Sequence, residues 1–350
     1  MTVDLPAPDS PDAADTAVAD IADAPAARPG LVVRFLDGFA ARWLSFWFTP
    51  ASMSVVTAMR VLIGACSLAW ALSMAPDLAT FYFDDGLLPE PGYADHRLAL
   101  FQWFGSDAAV VVVFVALVVA SVLVMAGWWV RLSAPVLWLA MMTMQLGAPS
   151  TLNAGDLMLR IWTAYLALFA VVTPSRFLSV PLRGEIGPDG GRRWPVGPVW
   201  FVRLAQIQLT VVYPATAIAK LDGNTWREGT AALYALGLVD FERFWVPTFV
   251  RENLIVGNLM TWYTIGIELA LAFLLWTRRT RWFAIIAGLS LHVGFDYTMR
   301  LGFFLPAMAI GYLAFVRPEE LERVLRRLPR RADPVPPTSE PVDRPSIVRS

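Results

Sequence analysis

Long apolar runs broken by short polar segments fill the chain from about residue 31 to 328. A bilayer core takes about 20 apolar residues of helix. Eight runs approach that length: 52–75, 108–126, 132–148, 157–173, 199–219, 259–276, 281–297 and 301–316. The last is short, so seven spans is the alternative. The pattern predicts an all-α fold, a polytopic transmembrane helical bundle forming one domain over 31–328 without internal repeats. Residues 1–30, rich in Ala, Pro and Asp, lack the basic and apolar regions of a secretory signal and read as a disordered tail, as do the Pro-rich residues 329–350. Two connections, 76–107 and 220–258, exceed what a connector needs. They carry Phe81-Tyr82-Phe83, Leu87-Leu88-Pro89, Phe101-Gln102-Trp103-Phe104 and the apolar stretch Thr230 to Val239. Such loops fold back as interfacial or re-entrant helices, or simply pack on the helix ends.

Within the fifth run the polar and small residues Arg203, Gln206, Thr210, Tyr213, Ala217 and Lys220 recur at steps of three and four, one stripe of a helix. The stripe spans about 25 Å at ~1.5 Å per residue, nearly a bilayer core. Pro214 interrupts it and is expected to free a carbonyl one turn earlier, opening the helix near Tyr213. For Gln206 and Thr210 the plainer reading is a helix–helix interface held by polar contacts.

Composition supports the membrane reading: 57% of the 350 residues are hydrophobic, mean hydropathy is +0.53, and only 16% are charged. Trp128, Trp129, Trp200, Trp262, Trp276 and Trp282 stand at ends of apolar runs, at headgroup level. A net charge of −1 leaves no basic excess for a nucleic-acid partner. The single Cys66 allows no intrachain disulfide and reads as packing. Cytoplasmic loops carry the arginine excess. With eight spans, the side of both termini collects 19 of the 28 Lys and Arg and the opposite side only six, with Arg60, Arg160 and Arg203 inside spans. The termini are therefore expected in the cytoplasm, in a plasma membrane that the compact, Arg-rich chain makes bacterial.

Candidate chemistry starts from Lys220, the only lysine among those 28. Arg stays protonated, whereas a desolvated Lys can act as base or nucleophile. Snorkelling toward water is the plainer reading of a lysine at a helix end. Asn153, Asp156 and Arg160 share a face of the fourth span; Asp156 and Arg160, four apart, suit an internal ion pair. Glu268 sits mid-span in the sixth run, and His292 and Asp296 lie four apart in the seventh. Charges at such depth should face one another or a wet cavity. One outer-half polar pocket of Asn153, Asp156, Arg160, Tyr213, Lys220, Glu268, His292 and Asp296 is the economical arrangement. His292 with Asp296 lacks the further His or Cys ligands a metal requires, so no metal is expected. No phosphate loop, dinucleotide fingerprint or nucleophile elbow is present.

Ala219-Lys220-Leu221-Asp222 followed by Trp226-Arg227-Glu228-Gly229, with Asn153-Ala154-Gly155-Asp156-Leu157 and, more loosely, Arg60 and His292, resembles the HTTM-domain membrane proteins, the family of the vitamin K-dependent gamma-glutamyl carboxylase. The likeness covers residues 45–316. It implies that Lys220 is the base that deprotonates a reduced isoprenoid quinone on the exoplasmic side. Oxygen then turns the quinol into a strong base that takes a γ-proton from Glu, so that CO2 adds. By the same likeness Asn153, Asp156, Arg160, Tyr213, Trp226 and Glu268 would line the quinone site, which a quinone enters from lipid beside the fifth span. Ala154 stands where the family has a histidine, which leaves carbanion stabilisation to His292, and nothing corresponds to the carboxylase's large lumenal region. The alternative is a non-enzymatic membrane module binding a lipid, a quinone or a protein partner, of accessory or immunity type; a transporter is disfavoured by the absence of an inverted repeat.

Overall fold

The computed structural model describes residues 31–87, 101 and 106–327, with side chains from residue 37. Both predicted tails, and the loop residues 88–100 and 102–105 with Leu88, Pro89 and Gln102 to Phe104, lie outside the described residues. The chain divides into two compact units at Trp47/Phe48. The first contains the helix Leu31–Phe48 up to Trp47, where Phe39, Trp43 and Trp47 at i, i+4 spacing form a ladder of rings.

The second unit is built on α1 (Ser54–Met74), α2 (Asp107–Ala126), α3 (Val130–Gly147), α4 (Ala154–Val172), α5 (Trp200–Leu221), α6 (Leu254–Leu274), α7 (Arg281–Thr298), α8 (Phe304–Leu313) and the amphipathic α9 (Pro318–Arg327). Every predicted run coincides with one of α1 to α8. Five helical stretches have the length and hydropathy to cross a membrane by themselves: Ser54–Tyr82, Asp107–Ala126, Ala154–Val172, Trp200–Leu221 and Leu254–Leu274. The other three fall short for visible reasons. The α3 helix contains Pro135 and buries Ser133, Thr143 and Gln145; α7 carries Arg281, His292 and Asp296; and α8 is only 10 residues long. The run expected at 301–316 is thus a shorter helix, continued by turns through Ala314, Phe315 and Val316.

Consecutive helices alternate in direction, because contacts gather their ends in two layers. At the arginine-rich end, Ala51–Ser52 pairs with Val196–Gly197, Ser52 Oγ reaches Glu322 at 2.5 Å, and Arg281 pairs with Glu320 at 2.9 Å. Buried Arg60 donates there to the carbonyls of Val124, Met125 (3.1 Å) and Val180 (2.8 Å), closing the C-terminus of α2. At the opposite end Tyr82 donates to Met144 O at 2.8 Å, and Arg243 pairs with Asp296 at 2.6 Å. The core between the layers is aliphatic and aromatic, from Met59 and Ile63 on α1 through Trp162 and Phe169 on α4 to Phe201 and Leu209 on α5.

Local sequence accounts for the helix limits. Ser106 caps α2, accepting from Ala109 N, and Gly127 ends it with φ +82°, so that a three-residue turn returns the chain into α3. Asn253 caps α6 through Ile255 N and Val256 N. Pro214 departs from expectation: α5 runs unbroken from Trp200 to Leu221 with the proline inside. Packing against α4, α6 and α8 holds its axis. In the loop 220–258 the apolar stretch forms Ala231–Leu236, a short helix seated on α6, with Leu233 against Gly257.

Candidate functional site

Lys220 stands in the last turn of α5 and Glu268 in the middle of α6, and packing of the two helices brings them together. Lys220 Nζ donates to both carboxylate oxygens of Glu268, at 2.8 and 2.7 Å. Thr216 Oγ1 lies 3.3 Å from Glu268 Oε2, adding a third group to the acid. The Lys220 side chain keeps 20% of its surface exposed and Glu268 only 5%, so the pair has an open ammonium side and a closed carboxylate side. On the open side the Trp226 ring centre lies 5.4 Å from Nζ, within cation–π range. The chain after Trp226 is fixed by Gly229: its φ of +77° and the Asn258 and Trp262 side chains facing its missing Cβ leave no room for another residue, and the loop turns back onto α6.

Tyr213, two turns below Lys220, donates or accepts at 2.9 Å from His292 Nε2 on α7 and makes a short hydroxyl–hydroxyl contact with Tyr312 on α8. All three are essentially inaccessible, and His292 Nδ1 has no hydrogen-bond partner among the described residues. Phe304 meets the imidazole edge-on at 4.9 Å. This three-ring layer is within electrostatic range of the ion pair, Tyr213 with Glu268 and His292 with Lys220. The stripe on α5 is therefore an interface along its length: Gln206 Nε2 donates to Ala314 O at 2.8 Å and Trp276 Nε1 to Thr210 at 2.8 Å, as read for those two residues from sequence.

The single pocket expected from depth resolves into separate clusters. Asn153 and Asp156 form a capping box at the start of α4: Asn153 Oδ1 accepts from Gly155 N at 2.7 Å, and Asp156 Oδ2 accepts from Asn153 N at 2.9 Å. The other oxygen of Asp156 takes Trp70 Nε1 at 2.9 Å, and Gln145 binds its carbonyl. Arg160 forms no ion pair with Asp156, whose oxygens already hold those donors. Asp296 pairs with Arg243 from the loop before α6. Lys220, Glu268, Trp226, Tyr213 and His292 are brought together; Asn153, Asp156 and Arg160 have other neighbours. Among the described residues no three His, Cys, Asp or Glu side chains converge as a metal site would require. Sequence reasoning missed Tyr312 and Thr216. Tyr312 is the one side chain of α8 with a polar tip, which was a usable signal; Thr216 lies beside the stripe rather than on it.

Bordering Tyr312, an apolar groove of about 610 Å³ runs between α1, α7 and α8, walled by Leu62, Cys66, Ile285, Leu289 and Pro306.

In comparison with known proteins, the family described as HTTM domain matches residues 48–319. No curated protein and no solved structure matches the chain.

Proposed function

The chain belongs to the HTTM domain family, and from that premise we propose that the Lys220–Glu268 pair is a proton-accepting site for a reduced isoprenoid quinone reached from the exoplasmic face of a bacterial plasma membrane. The observation that carries this reading is the half-open ion pair at the end of α5, with its ammonium toward Trp226 and its carboxylate sealed. Two approaches for a quinol exist. From the apolar groove it meets Tyr312, which is buried; from the outer end it meets Lys220, whose side chain keeps 20% of its surface exposed.

The quinol, when bound, supplies the oxidisable hydroxyl. The protein's part is to take one proton. Glu268 accepts a proton from the Lys220 ammonium along the existing hydrogen bond, the freed amine takes the hydroxyl proton, and the re-formed ammonium faces the resulting oxyanion. The balance is one O–H bond broken on the ligand and one formed on Glu268. Trp226 supplies a flat face for the ring, and Thr216 holds the acid. Oxygen uptake and epoxide formation with a reduced menaquinone in purified protein test this. Wild type should turn over, while Lys220→Ala and Glu268→Gln should lose at least about 10²-fold, the usual worth of a positioned general base. Equal turnover in wild type and Lys220→Ala overturns the reading.

A second reading is a non-enzymatic module that holds a lipid headgroup or a partner protein. The bidentate geometry of the pair favours it to this extent, that it ties α5 to α6 whether or not a proton moves. Lys220→Arg separates the two, since a guanidinium keeps the tie and the charge but yields no neutral base.

A further inference from the structure

In the loop that leads into α6, Leu238, Val239, Phe241, Phe244, Trp245 and Phe249 all stand exposed. Charges of the same segment turn to the protein instead: Arg243 pairs with Asp296 on α7 and Glu242 with Arg251, at 2.6 Å each. The backbone is pinned as well. Arg300 N donates to Phe241 O at 2.7 Å, Tyr297 Oη donates to Trp245 O at 3.3 Å, and Val246 is buried. The loop therefore presents its rings from a fixed frame, and an exposed apolar patch of this extent marks an interaction surface. What covers it follows from the two helices that it joins. The α6 helix has the length and hydropathy to cross a membrane, and its exposed Ile255, Leu259, Trp262, Leu269 and Phe273 recur at helical spacing as one apolar stripe. Phe249, in the short helix Thr248–Arg251, stands just before the start of that stripe. On α7 a second exposed stripe runs through Phe283, Ile286, Val293 and Tyr297, and its last ring stacks on Phe244 with centres 5.3 Å apart. The patch thus prolongs the lipid-facing surfaces of both helices at the end opposite the arginine-rich layer.

We infer that residues 238–249 form an interfacial wedge seated in the headgroup layer of the leaflet at the ion-pair end, with Trp245 and Phe249 as its anchors. These two side chains are 71% and 70% exposed, so the protein itself covers little of either. Indole and phenyl rings suit the boundary between headgroups and acyl chains. The exposed Asp240 keeps the wedge shallow, because a carboxylate resists entry into hydrocarbon. A protein partner would cover the loop and stop at its rim, whereas lipid covers the loop and both helix stripes without a break. The wedge does not depend on proton transfer at Lys220.

Photolabelling of the full wild-type chain in phosphatidylcholine nanodiscs tests this, with a phosphatidylcholine that carries a diazirine on its acyl chain close to the glycerol. Trypsin cuts after Arg243 and Arg251, so residues 244–251 leave as one peptide that holds Phe244, Trp245 and Phe249. Residues 282–300 report the stripe on α7, and residues 184–192, a polar hairpin of the arginine-rich layer, report a segment in water. Label in 244–251 should match that in 282–300 and exceed that in 184–192 at least about threefold, as a segment at headgroup depth should. Moving the diazirine to the end of the acyl chain should lower the label in 244–251 and leave that in 282–300 in place. Label in 244–251 no higher than in 184–192 would overturn the inference, and equal label from the chain-end diazirine would overturn the headgroup depth. Crosslinks joining 244–251 of two copies, with no lipid label, would make the patch a protein interface instead.

Discussion

At the scale of single residues, the buried charges separate into those that hold the fold and the pair that remains for chemistry. Arg60 is 2% exposed and its donors end on three backbone carbonyls, so it acts as a cap supplied from another helix. Arg60→Met removes all of them at once and should cost at least about 3 kcal/mol, since charged hydrogen bonds are worth about 1.5–3 kcal/mol each. Thermal or denaturant unfolding in detergent measures it, and a loss under about 1 kcal/mol would contradict the capping role. Asn153 and Asp156 belong with Arg60, since their oxygens serve the start of α4 and Trp70. Their spacing of three, an Asn followed by an acid before an apolar run, is itself a capping signature, so this part of the pocket expected from depth is legible in the sequence as the start of a helix. Lys220 was legible because no other lysine competes with it. Tyr312 leaves the hydrophobic period of its short run unchanged, so its one signal in the sequence is the lone polar tip.

At the scale of elements, close approach decides which glycines matter. A Cβ on Gly64 would lie 2.7 Å from Met125 N and 2.9 Å from Ser121 O, backbone atoms of α2 that have nowhere to go, whereas Gly266 has no neighbour within 4 Å. Gly64→Ala should therefore destabilise by about 1–3 kcal/mol, the usual cost of overpacking, and Gly266→Ala should not, as differential scanning fluorimetry of the two variants can show. The α9 helix is held by Leu325 and Leu321 packed on Val180 and Trp194 and by charge. Partial burial alone would raise the Glu320 carboxyl, but the Arg317 backbone N–H, Trp282 Nε1 and the charges of Arg281 and Arg317 outweigh it and hold the group below its ordinary value. A carboxylate lowered by folding stabilises fully above its unfolded pKa and loses that contribution as pH falls through the folded one. Docking of α9 should thus weaken between about pH 4.5 and lower values, and Glu320→Gln should flatten that part of the pH profile of hydrogen exchange in 318–327. The eight runs were readable from hydropathy, but the limits of α8 and the unbroken course of α5 through Pro214 were not, because both are set by neighbouring helices and leave no trace in local sequence.

At the scale of the whole chain, alternating helices put the arginine-rich loops in one layer and the ion pair in the other, joined by the stripe on α5 from Arg203 to Lys220. Cysteines placed at Asp189 and Asp240, in loops of the two layers, should be labelled by an impermeant maleimide from opposite faces of sealed membranes, Asp240→Cys from outside; labelling of both from one face would contradict the alternation. The proposed activity depends on what the stripe ends on. Quinol-dependent oxygen uptake of Lys220→Arg beside wild type, with equal unfolding temperatures as the control, tests it most directly. The guanidinium can keep the bond to Glu268 but cannot give up its proton near neutral pH, so the account predicts an intact fold with at least about a hundredfold loss of turnover. Turnover within twofold of wild type would show that Lys220 only ties two helices together.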